Sequence, residues 1–483
     1  MAEPSAEHKF VCDFVDRNEK AIALLGDSIF YFGELGMQEF ETSKLMADLL
    51  EQGGFAVERG IADMPTAFCA TYGAEGPVLA MHTEYDSVPN NSQAAGKLEA
   101  TPITEGAPGH CEGHNVNAAV LVSGALAAAR AIDQFGLKGR LKVIGAPAEE
   151  QLISRPYMVR DGWFDDVDIA FHNHISQKFE AGYGSIQAAL ISATFTFRGE
   201  TAHAGTAPWK GRDALDGVML MDMGMAQFRE HMMPTARMQR VVTDGGDQPN
   251  ATPAKATMWW YFRDTTADGA NRLFEQAKKI AQGAAMMTNT EVETEIMAAV
   301  WPLRGNRTLA EMVQDKIRLV GMPRWAAEEQ DFARKLQAAL GVKAEGLAID
   351  LPNFKGEAVQ KPSANDAGDV SWKVPMVKFY YPSNIPHSTA HHWGGGTALA
   401  TSIAHKGAYA GAKVLASSVV ECLKNPAIVE EAKRTFLTET GGVKYTSMLP
   451  PGQKPPLDLN RTLMERYRPL MQKHYLTEKP QFV

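Results

Sequence analysis

The residues that could do chemistry are concentrated in a few short segments. Seven of the thirteen histidines fall in three of them, His110/His114, His172/His174 and His387/His391/His392. Glutamates lie in the first segment, GHCEGHN (109–115), and directly after the apolar run RLKVIGA (140–146). Imidazole nitrogens and carboxylate oxygens are common ligands of divalent transition metals. Their clustering predicts a metal site and, with it, metal-assisted hydrolysis.

The acidic pair Glu149-Glu150 follows an apolar strand. Open α/β sheets place their ligand crevices at this end of their strands. Because neighbouring side chains there point in different directions, one carboxylate can bind metal while the other deprotonates the attacking water. In isolation, such a pair is more typical of a solvated acidic loop.

The histidine segments leave similar alternatives open when each is considered alone. Glu112 and His114 project from a glycine-containing turn, which suits two ligands of one metal but is more often a polar loop. The two-residue period of a strand puts His172 and His174 on one side, where a histidine is usually a hydrogen-bonded core residue. His391 lies beside three glycines, which suit either a flexible loop or close approach to a metal. Taken together, the segments favour the metal site.

The elements that must position these residues follow from hydrophobic periodicity. Helices are predicted over 8–52, from 115 to about 135, around 326–341 and over 402–424, with strands at 66–72, 77–82, 140–146 and 168–172. This alternation predicts an α/β fold, a mostly parallel sheet flanked by helices. The prolines at 450, 451, 455 and 456 predict an irregular tail.

A different pattern begins near residue 185. Alternating runs at 191–197, 255–263 and 291–297, with helices after 211–217 and over 270–287, follow β-α-β-β-α-β order. This order is typical of an α+β, ferredoxin-like domain. The predicted organisation is therefore 1–185 and 303–483 for the catalytic domain and 186–302 for an inserted one.

Composition limits the class of protein. With 483 residues and 45% hydrophobic content, two or three domains are expected. A net charge of −9 without a Lys/Arg cluster argues against a nucleic-acid or anionic-membrane partner. The charged N-terminal segment and the absence of about eighteen consecutive apolar residues predict a cytoplasmic protein. Four scattered cysteines indicate reduced thiols.

The ordered set E-G-H, E-E, strand-end histidine and late histidine resembles the dinuclear metallopeptidase and amidohydrolase family of carboxypeptidase G, aminoacylases and auxin-conjugate hydrolases. The resemblance is strongest to the aminobenzoyl-glutamate hydrolase branch and covers nearly the whole chain. It implies an aminopeptidase/phosphorylase-like catalytic domain. Its motifs are EYD (84–86), GHCEGHN (109–115), YMVRDGWFDDVDIA (157–170), TAHAG (201–205), AGDVSWKVP (367–375) and TSIAHKG (401–407).

The resemblance implies one or two divalent metal ions per subunit and assigns a role to each candidate ligand. Glu112 would bridge two metals, and Glu149 would be the general base. The remaining ligands would be Glu150 and His391 at one metal position, and His114 and His174 at the other.

The resemblance also implies that the inserted domain is a lid through which the chain forms a homodimer or higher homo-oligomer. In relatives its histidine, here His203, reaches a neighbouring subunit's active site and stabilises the developing oxyanion. Asn250 and Arg263 match lid positions that bind a substrate carboxylate.

The chain departs from the family at three points. In the auxin-conjugate and aminobenzoyl-glutamate hydrolase branches, residue 112 is typically cysteine. Glu112 makes the ligand set all oxygen and nitrogen, which favours Mn²⁺ and leaves Zn²⁺, Co²⁺ or Fe²⁺ as alternatives. Glu84 and Asp86 replace a His-x-Asp motif, so Asp86 is expected to orient the site and Glu84 is left open as an extra ligand. The family's glycines after the acidic pair are replaced by QLISRP (151–156), which leaves the substrate open.

Three functions are therefore considered for a small, aromatic substrate. The first is hydrolysis of the amide of an aroyl- or acyl-amino acid such as aminobenzoyl-glutamate, with Glu149 moving the proton. The second is release of ammonia from an activated aromatic amine such as 5-nitroanthranilate, with a nitro group facing some of Arg155, Arg160, Trp259, Trp260 and Tyr261. The third is a non-catalytic binding protein with a degenerate site, against which the retention of both Glu149 and Glu150 argues.

Overall fold

The computed structural model describes residues 4–354 and 359–483. Within these residues its strands are β1 (Ala56–Arg59), β2 (Phe68–Gly73), β3 (Val78–Glu84), β4 (Arg140–Ala146), β5 (Ile169–Ser176), β6 (Glu180–Gly182), β7 (Ser185–Gln187), β8 (Ala189–Arg198), β9 (Arg237–Asp244), β10 (Lys255–Asp264), β11 (Glu291–Val300), β12 (Val359–Lys361) and β13 (Met376–Pro382). They form a large central sheet, a second sheet in the inserted segment and a small pairing of β7 with β12.

The central sheet has the strand order β1-β2-β4-β3-β5-β13-β6. The inner strands β4, β3, β5 and β13 run parallel, whereas β1, β2 and β6 pair antiparallel with their neighbours. The predicted parallel pairing is therefore confined to the middle of the sheet. All seven residues of β3 are buried, as expected for a strand covered on both faces.

Helices cover both faces of this sheet. Within the described residues the helices are α1 (Ala6–Arg17), α2 (Glu19–Phe32), α3 (Phe40–Gln52), α4 (His114–Phe135), α5 (Ser154–Arg160), α6 (Ala214–Phe228), α7 (Ala267–Thr288), α8 (Arg307–Val320), α9 (Ala327–Ala339), α10 (Gly368–Lys373), α11 (Trp393–Gly396), α12 (Ser402–Lys424), α13 (Pro426–Glu439) and α14 (Arg461–Met471). On one face, α4 packs against α2, α12 and the strands β3 and β5. On the other face, α5 and α10 pack together near the inserted segment.

The Ala-rich helix α4 is long and apolar enough, by length and composition, to cross a membrane. Such a stretch was not predicted from the sequence. However, 94% of its apolar window is buried inside the protein, which is the environment of a core helix. Its small side chains allow close packing, and Gly124 lies directly against Leu415 of α12.

The inserted segment forms a four-stranded antiparallel sheet in the order β11-β8-β10-β9, with α6 and α7 packed against it. The chain order β8-α6-β9-β10-α7-β11 is the predicted ferredoxin-like one. Leu273, Phe274 and Ala277 of α7 are buried against the sheet, as the apolar face of that helix predicts. The exact domain boundaries, 186 and 302, stay a prediction.

The C-terminal region is more regular than the prolines predict. Residues around 450–456 are irregular, but α13 precedes them and α14 follows them. In α14, Met464 and Met471 are buried and share one face with the more exposed Leu463, Tyr467 and Leu470. Arg468 of the same helix pairs with the buried carboxylate of Glu34.

Two glycines flank α4, and their different surroundings generate a prediction. Gly113 (φ +80°) precedes the helix, and a Cβ there would collide with Ile175 of β5. Gly136 (φ +61°) follows the helix, and a Cβ there would meet no atom within 4 Å. Both alanine variants incur a left-handed backbone cost of about 1–2 kcal/mol.

We expect Gly113→Ala to lower the free energy of unfolding by about 1–3 kcal/mol more than Gly136→Ala, because it also overpacks the core. Chemical denaturation of the two variants measures this difference. Equal losses would show that the contact between Gly113 and Ile175 does not restrict the turn.

Candidate metal centre

The carboxyl ends of β3, β4 and β5 meet at one edge of the central sheet, where parallel strands place their ligand crevices. The amino end of α4 and the loop before α11 reach the same edge. These elements bring together Glu84 at the end of β3, Asp86 just after it, Glu112 and His114 at the start of α4, Glu149 and Glu150 after β4, His174 in β5 and His391 in the loop.

The five residues predicted as metal ligands lie close together. Ligand atoms of Glu112, His114 and Glu150 are all within 4.8 Å of one another, and His391 Nε2 lies 2.8 Å from Glu112 Oε1 and 3.1 Å from Glu150 Oε2. A second group with the same spacing contains Glu84, His114 and His174. His114 therefore belongs to both groups. The roles of these residues as ligands stay predictions.

Asp86 contacts two of these residues, His114 and Glu150. Its Oδ1 lies 3.1 Å from His114 Nδ1, and its Oδ2 accepts a hydrogen bond from the Glu150 backbone N–H at 3.0 Å. Histidines that bind metal usually have their second ring nitrogen hydrogen-bonded to a carboxylate or carbonyl in this way. In the described part of the chain, His114 Nε2 and Glu150 Oε1 are both buried without a hydrogen-bond partner.

The electrostatics of the cluster also fit a cation. Burial and the negative charge of Glu112 raise the pKa of Glu150. Although burial alone would lower it, the hydrogen bond and charge of Asp86 raise the pKa of His114 well above its usual range. Hydrogen bonds to Glu112 and Glu150 raise the pKa of His391 to about 10. Such shifts arise where carboxylates are crowded together, and a divalent metal ion would supply the missing positive charge.

Glu149 is buried and lies beside the predicted ligands, with its Oε2 3.7 Å from His114 Nε2. Its Oε1 accepts a hydrogen bond from Asn365 Nδ2 at 2.5 Å. Burial, reinforced by the charge of Glu84, raises the pKa of Glu149 well above its usual range. A carboxylate with a raised pKa is suited to taking up and returning a proton near neutral pH.

Below the predicted ligands, Glu84 is held by two other residues. Its carboxylate accepts a hydrogen bond at 2.8 Å from His172 Nε2 and forms an ion pair with Arg155, which also pairs with Asp366. Its Oε1 lies 3.5 Å from His174 Nε2, so Glu84 supports that histidine and remains close enough to serve as an extra ligand.

Most of the residues proposed to face a nitro group do not line the cavity beside Glu149. Arg155 is completely buried, so the interpretation that it faces the substrate is wrong. Arg160 hydrogen-bonds to Asp161 and to a backbone carbonyl, and Trp260 is buried in the core of the inserted domain. Tyr261 is the exception.

A cavity of about 560 Å³ opens above Glu149 and the predicted ligands. The inserted domain contributes Tyr261 and Arg263 of β10 to its wall. Arg263 therefore lies where the resemblance predicts a group that binds a substrate carboxylate. The cavity is also lined by residues that were not predicted from the sequence, among them Gln187, Ser363, Asn365, Lys378 and Tyr380.

His203 and Asn250 lie outside this cavity within the described residues of the subunit. They are neighbours on exposed loops of the inserted domain, where the Asn250 carbonyl accepts a hydrogen bond from Ala204. His203 Nδ1 accepts hydrogen bonds from the backbone N–H groups of Gly205 and Thr206. The predicted role of His203 needs a second subunit, and the roles of both residues stay predictions.

Comparison with known proteins identifies the family of the chain. Residues 187–286 match the model of the M20 family's peptidase dimerisation domain. The chain is 31% identical to one of the p-aminobenzoyl-glutamate hydrolase subunits of Escherichia coli over 474 residues, covering 93% of this chain and 98% of the relative. It is 25% identical to the Xaa-Arg dipeptidase of Mus musculus, covering 87% and 90%.

Among solved structures, a dinuclear metal-binding peptidase of the M20 family from Bacillus subtilis shares the fold, with a TM-score of 0.54 and 18% identity over 85% of this chain and 99% of that one. The fold and the site define a metal-dependent amidohydrolase. The chain belongs to the M20 peptidase family. It is therefore an enzyme, and the interpretation as a non-catalytic binding protein is wrong.

The position of His114 in both groups generates a prediction about metal binding. We expect His114→Ala to weaken Mn²⁺ binding by at least about 10- to 100-fold, the loss that removal of even a supporting residue causes. Titration calorimetry and metal analysis after dialysis measure this loss. His387→Ala is the matched control, because His387 is exposed and pairs with Glu345 outside the cavity. Unchanged Mn²⁺ affinity in His114→Ala would contradict the assignment.

Proposed function

We propose that the enzyme hydrolyses the amide bond of an aroyl- or acyl-amino acid, with p-aminobenzoyl-glutamate as the model substrate. The observation that carries this proposal is the position of Arg263 in the same cavity as Glu149. In the described residues, Arg263 hydrogen-bonds to the neutral oxygens of Gln239 and Pro362, lies over the Tyr261 ring and has no carboxylate partner. Its charge is therefore available for the carboxylate of an amino-acid substrate.

The aromatic lining supports an aroyl group. Tyr261 and Tyr380 contribute rings to the cavity from the inserted domain and the central sheet. The name of the Escherichia coli relative also describes an aroyl-amino acid, joined through glutamate. An elongated substrate that is aromatic at one end and anionic at the other matches these walls.

The mechanism follows from the groups around the carboxylate pair. The predicted ligands would hold the divalent metal, which when bound lowers the pKa of water and polarises the amide carbonyl. Glu149 takes the proton from the attacking water and returns it to the departing nitrogen. Asn365 holds Glu149 Oε1 in place, and Arg263 orients the substrate through its carboxylate. Because all predicted ligand atoms are oxygen or nitrogen, we propose Mn²⁺ as the preferred metal.

Release of ammonia from an aromatic amine is less well supported. That reaction needs cationic groups or donors around a nitro group, and Arg155 is buried between Glu84 and Asp366 instead. The cavity cations are better placed for carboxylates of an amide substrate. The two reactions release different products and can be separated directly.

We expect the Mn²⁺-loaded enzyme to release glutamate from p-aminobenzoyl-glutamate and no ammonia from 5-nitroanthranilate. Glu149→Gln should lower kcat by about 100- to 10,000-fold, the contribution of a general base, without changing metal content. Glu345→Gln, at an exposed carboxylate outside the cavity, is the matched control. Ammonia release as the main reaction, or a fully active Glu149→Gln variant, would refute the proposal.

We also propose that the enzyme works as a homodimer in which His203 completes the neighbouring subunit's site. The dimerisation-domain match and the exposed position of His203 outside its own cavity support this arrangement. His203→Ala and Glu149→Gln should each be nearly inactive alone. After the two are mixed and allowed to exchange subunits, each mixed dimer has one intact site, so activity should return to about a quarter of the wild-type value. No recovery, with exchange verified by mass spectrometry, would show that His203 acts in its own subunit or not at all.

A further inference from the structure

Lys378 of β13 has a largely buried side chain whose ammonium group opens into the cavity. Lys378 is 4% exposed. Within the described residues, its ammonium group forms no hydrogen bond or ion pair. Its Nζ lies 5.6 Å from the centroid of the Tyr380 ring. An ammonium group held in this way can meet an anionic ligand that enters the cavity. By contrast, the buried Lys142 of β4 pairs with Asp166 at 2.7 Å.

Strand register places Lys378 directly below the metal centre. His82 of β3, His172 of β5 and Lys378 form one row across adjacent strands. His174 and Tyr380 form the next row toward the carboxyl edge. Because side chains two residues apart in a strand share a face, Lys378 lies on the same face as Tyr380 and lines the cavity.

Lys378 adds positive charge near Glu84 but does not pair with it. Glu84 is already paired with Arg155 and hydrogen-bonded to His172. Lys378 makes no contact with Glu84 among the described ion pairs.

We propose that Lys378 binds a second carboxylate of the substrate, so that the enzyme selects amides of dicarboxylic amino acids. This inference rests on the proposed function and deepens it. Arg263, on the inserted domain, binds the carboxylate next to the scissile amide. Lys378, on the central sheet, binds the carboxylate of the amino-acid side chain. Two cations from different walls of one cavity thus match a substrate with two separated anionic groups.

The test compares p-aminobenzoyl-glutamate with p-aminobenzoyl-glutamine, which has nearly the same shape but a neutral side chain. Dissociation constants are measured by titration calorimetry on the Mn²⁺-loaded Glu149→Gln enzyme, in which hydrolysis is suppressed. We expect glutamate to be preferred by about 10- to 100-fold, the value of a charge-assisted hydrogen bond. Adding Lys378→Met should reduce the ratio to near one, whereas Lys378→Arg should retain part of it.

Lys142→Met is the matched control, because it removes a buried lysine of the same sheet outside the cavity. It should lower stability and leave the ratio unchanged. A preference that survives Lys378→Met, or failure of both ligands to bind, would overturn the inference. A loss of metal content or stability in Lys378→Met, with the ratio intact, would assign the lysine a structural role and also overturn it.

The proposed function is tested separately by glutamate release from the wild-type enzyme. Hydrolysis without discrimination between the two ligands would contradict the role of Lys378 alone. Discrimination without hydrolysis would contradict the proposed reaction and leave the carboxylate subsite established.

Discussion

Arg155 is completely buried between the carboxylates of Glu84 and Asp366, and the edge of the central sheet that carries the candidate metal residues is built over it. Its Nε also lies 3.0 Å from His82 Nδ1. Because a buried charge is tolerated only when it is paired, these contacts tie β3, α5 and the segment before α10 together. The position of Glu84, and through it the support for His172 and His174, depends on this arrangement.

The candidate metal centre lies above Arg155, and the negative charges of its carboxylates are only partly compensated by neighbouring residues. Asp86 fixes His114 and the Glu150 backbone, and His391 lies between Glu112 and Glu150. Nevertheless, buried ligand atoms of His114 and Glu150 are left without partners in the described residues. Arg155 neutralises the carboxylates of Glu84 and Asp366. The carboxylates of Glu112 and Glu150 are instead arranged for a metal ion taken up from solution. The fold thus separates carboxylates with a structural role from carboxylates with a chemical one.

The sequence predicted those parts of the site that local pattern determines. RLKVIGA is an apolar run with defined ends, so β4 was predicted at 140–146 and the acidic pair was placed correctly after it. Lys378 could not be found in this way, because a lysine in MVKFYYP is equally compatible with an exposed position. Its burial arises because β6 adds to the sheet outside β13 and the inserted domain covers the face. Arg155 and Asn365 likewise acquire their roles from partners more than 200 residues away in the chain. The helix α14 was missed because Pro469 lies within it and the prolines at 450–456 predicted an irregular tail.

The charges of the cavity bear on how a substrate can be oriented. Glu112, where the two nearest branches carry cysteine, adds a carboxylate to the metal end and increases the negative potential there. Arg263 and Lys378 place positive charge on other walls of the same cavity. The anionic moiety of the proposed substrate would therefore be repelled from the carboxylate cluster and attracted to the cations, and its neutral amide would be the group that approaches Glu149. Glu112 is therefore compatible with an anionic substrate. Its additional negative charge repels the carboxylates of the substrate, which must be kept away from the predicted ligands.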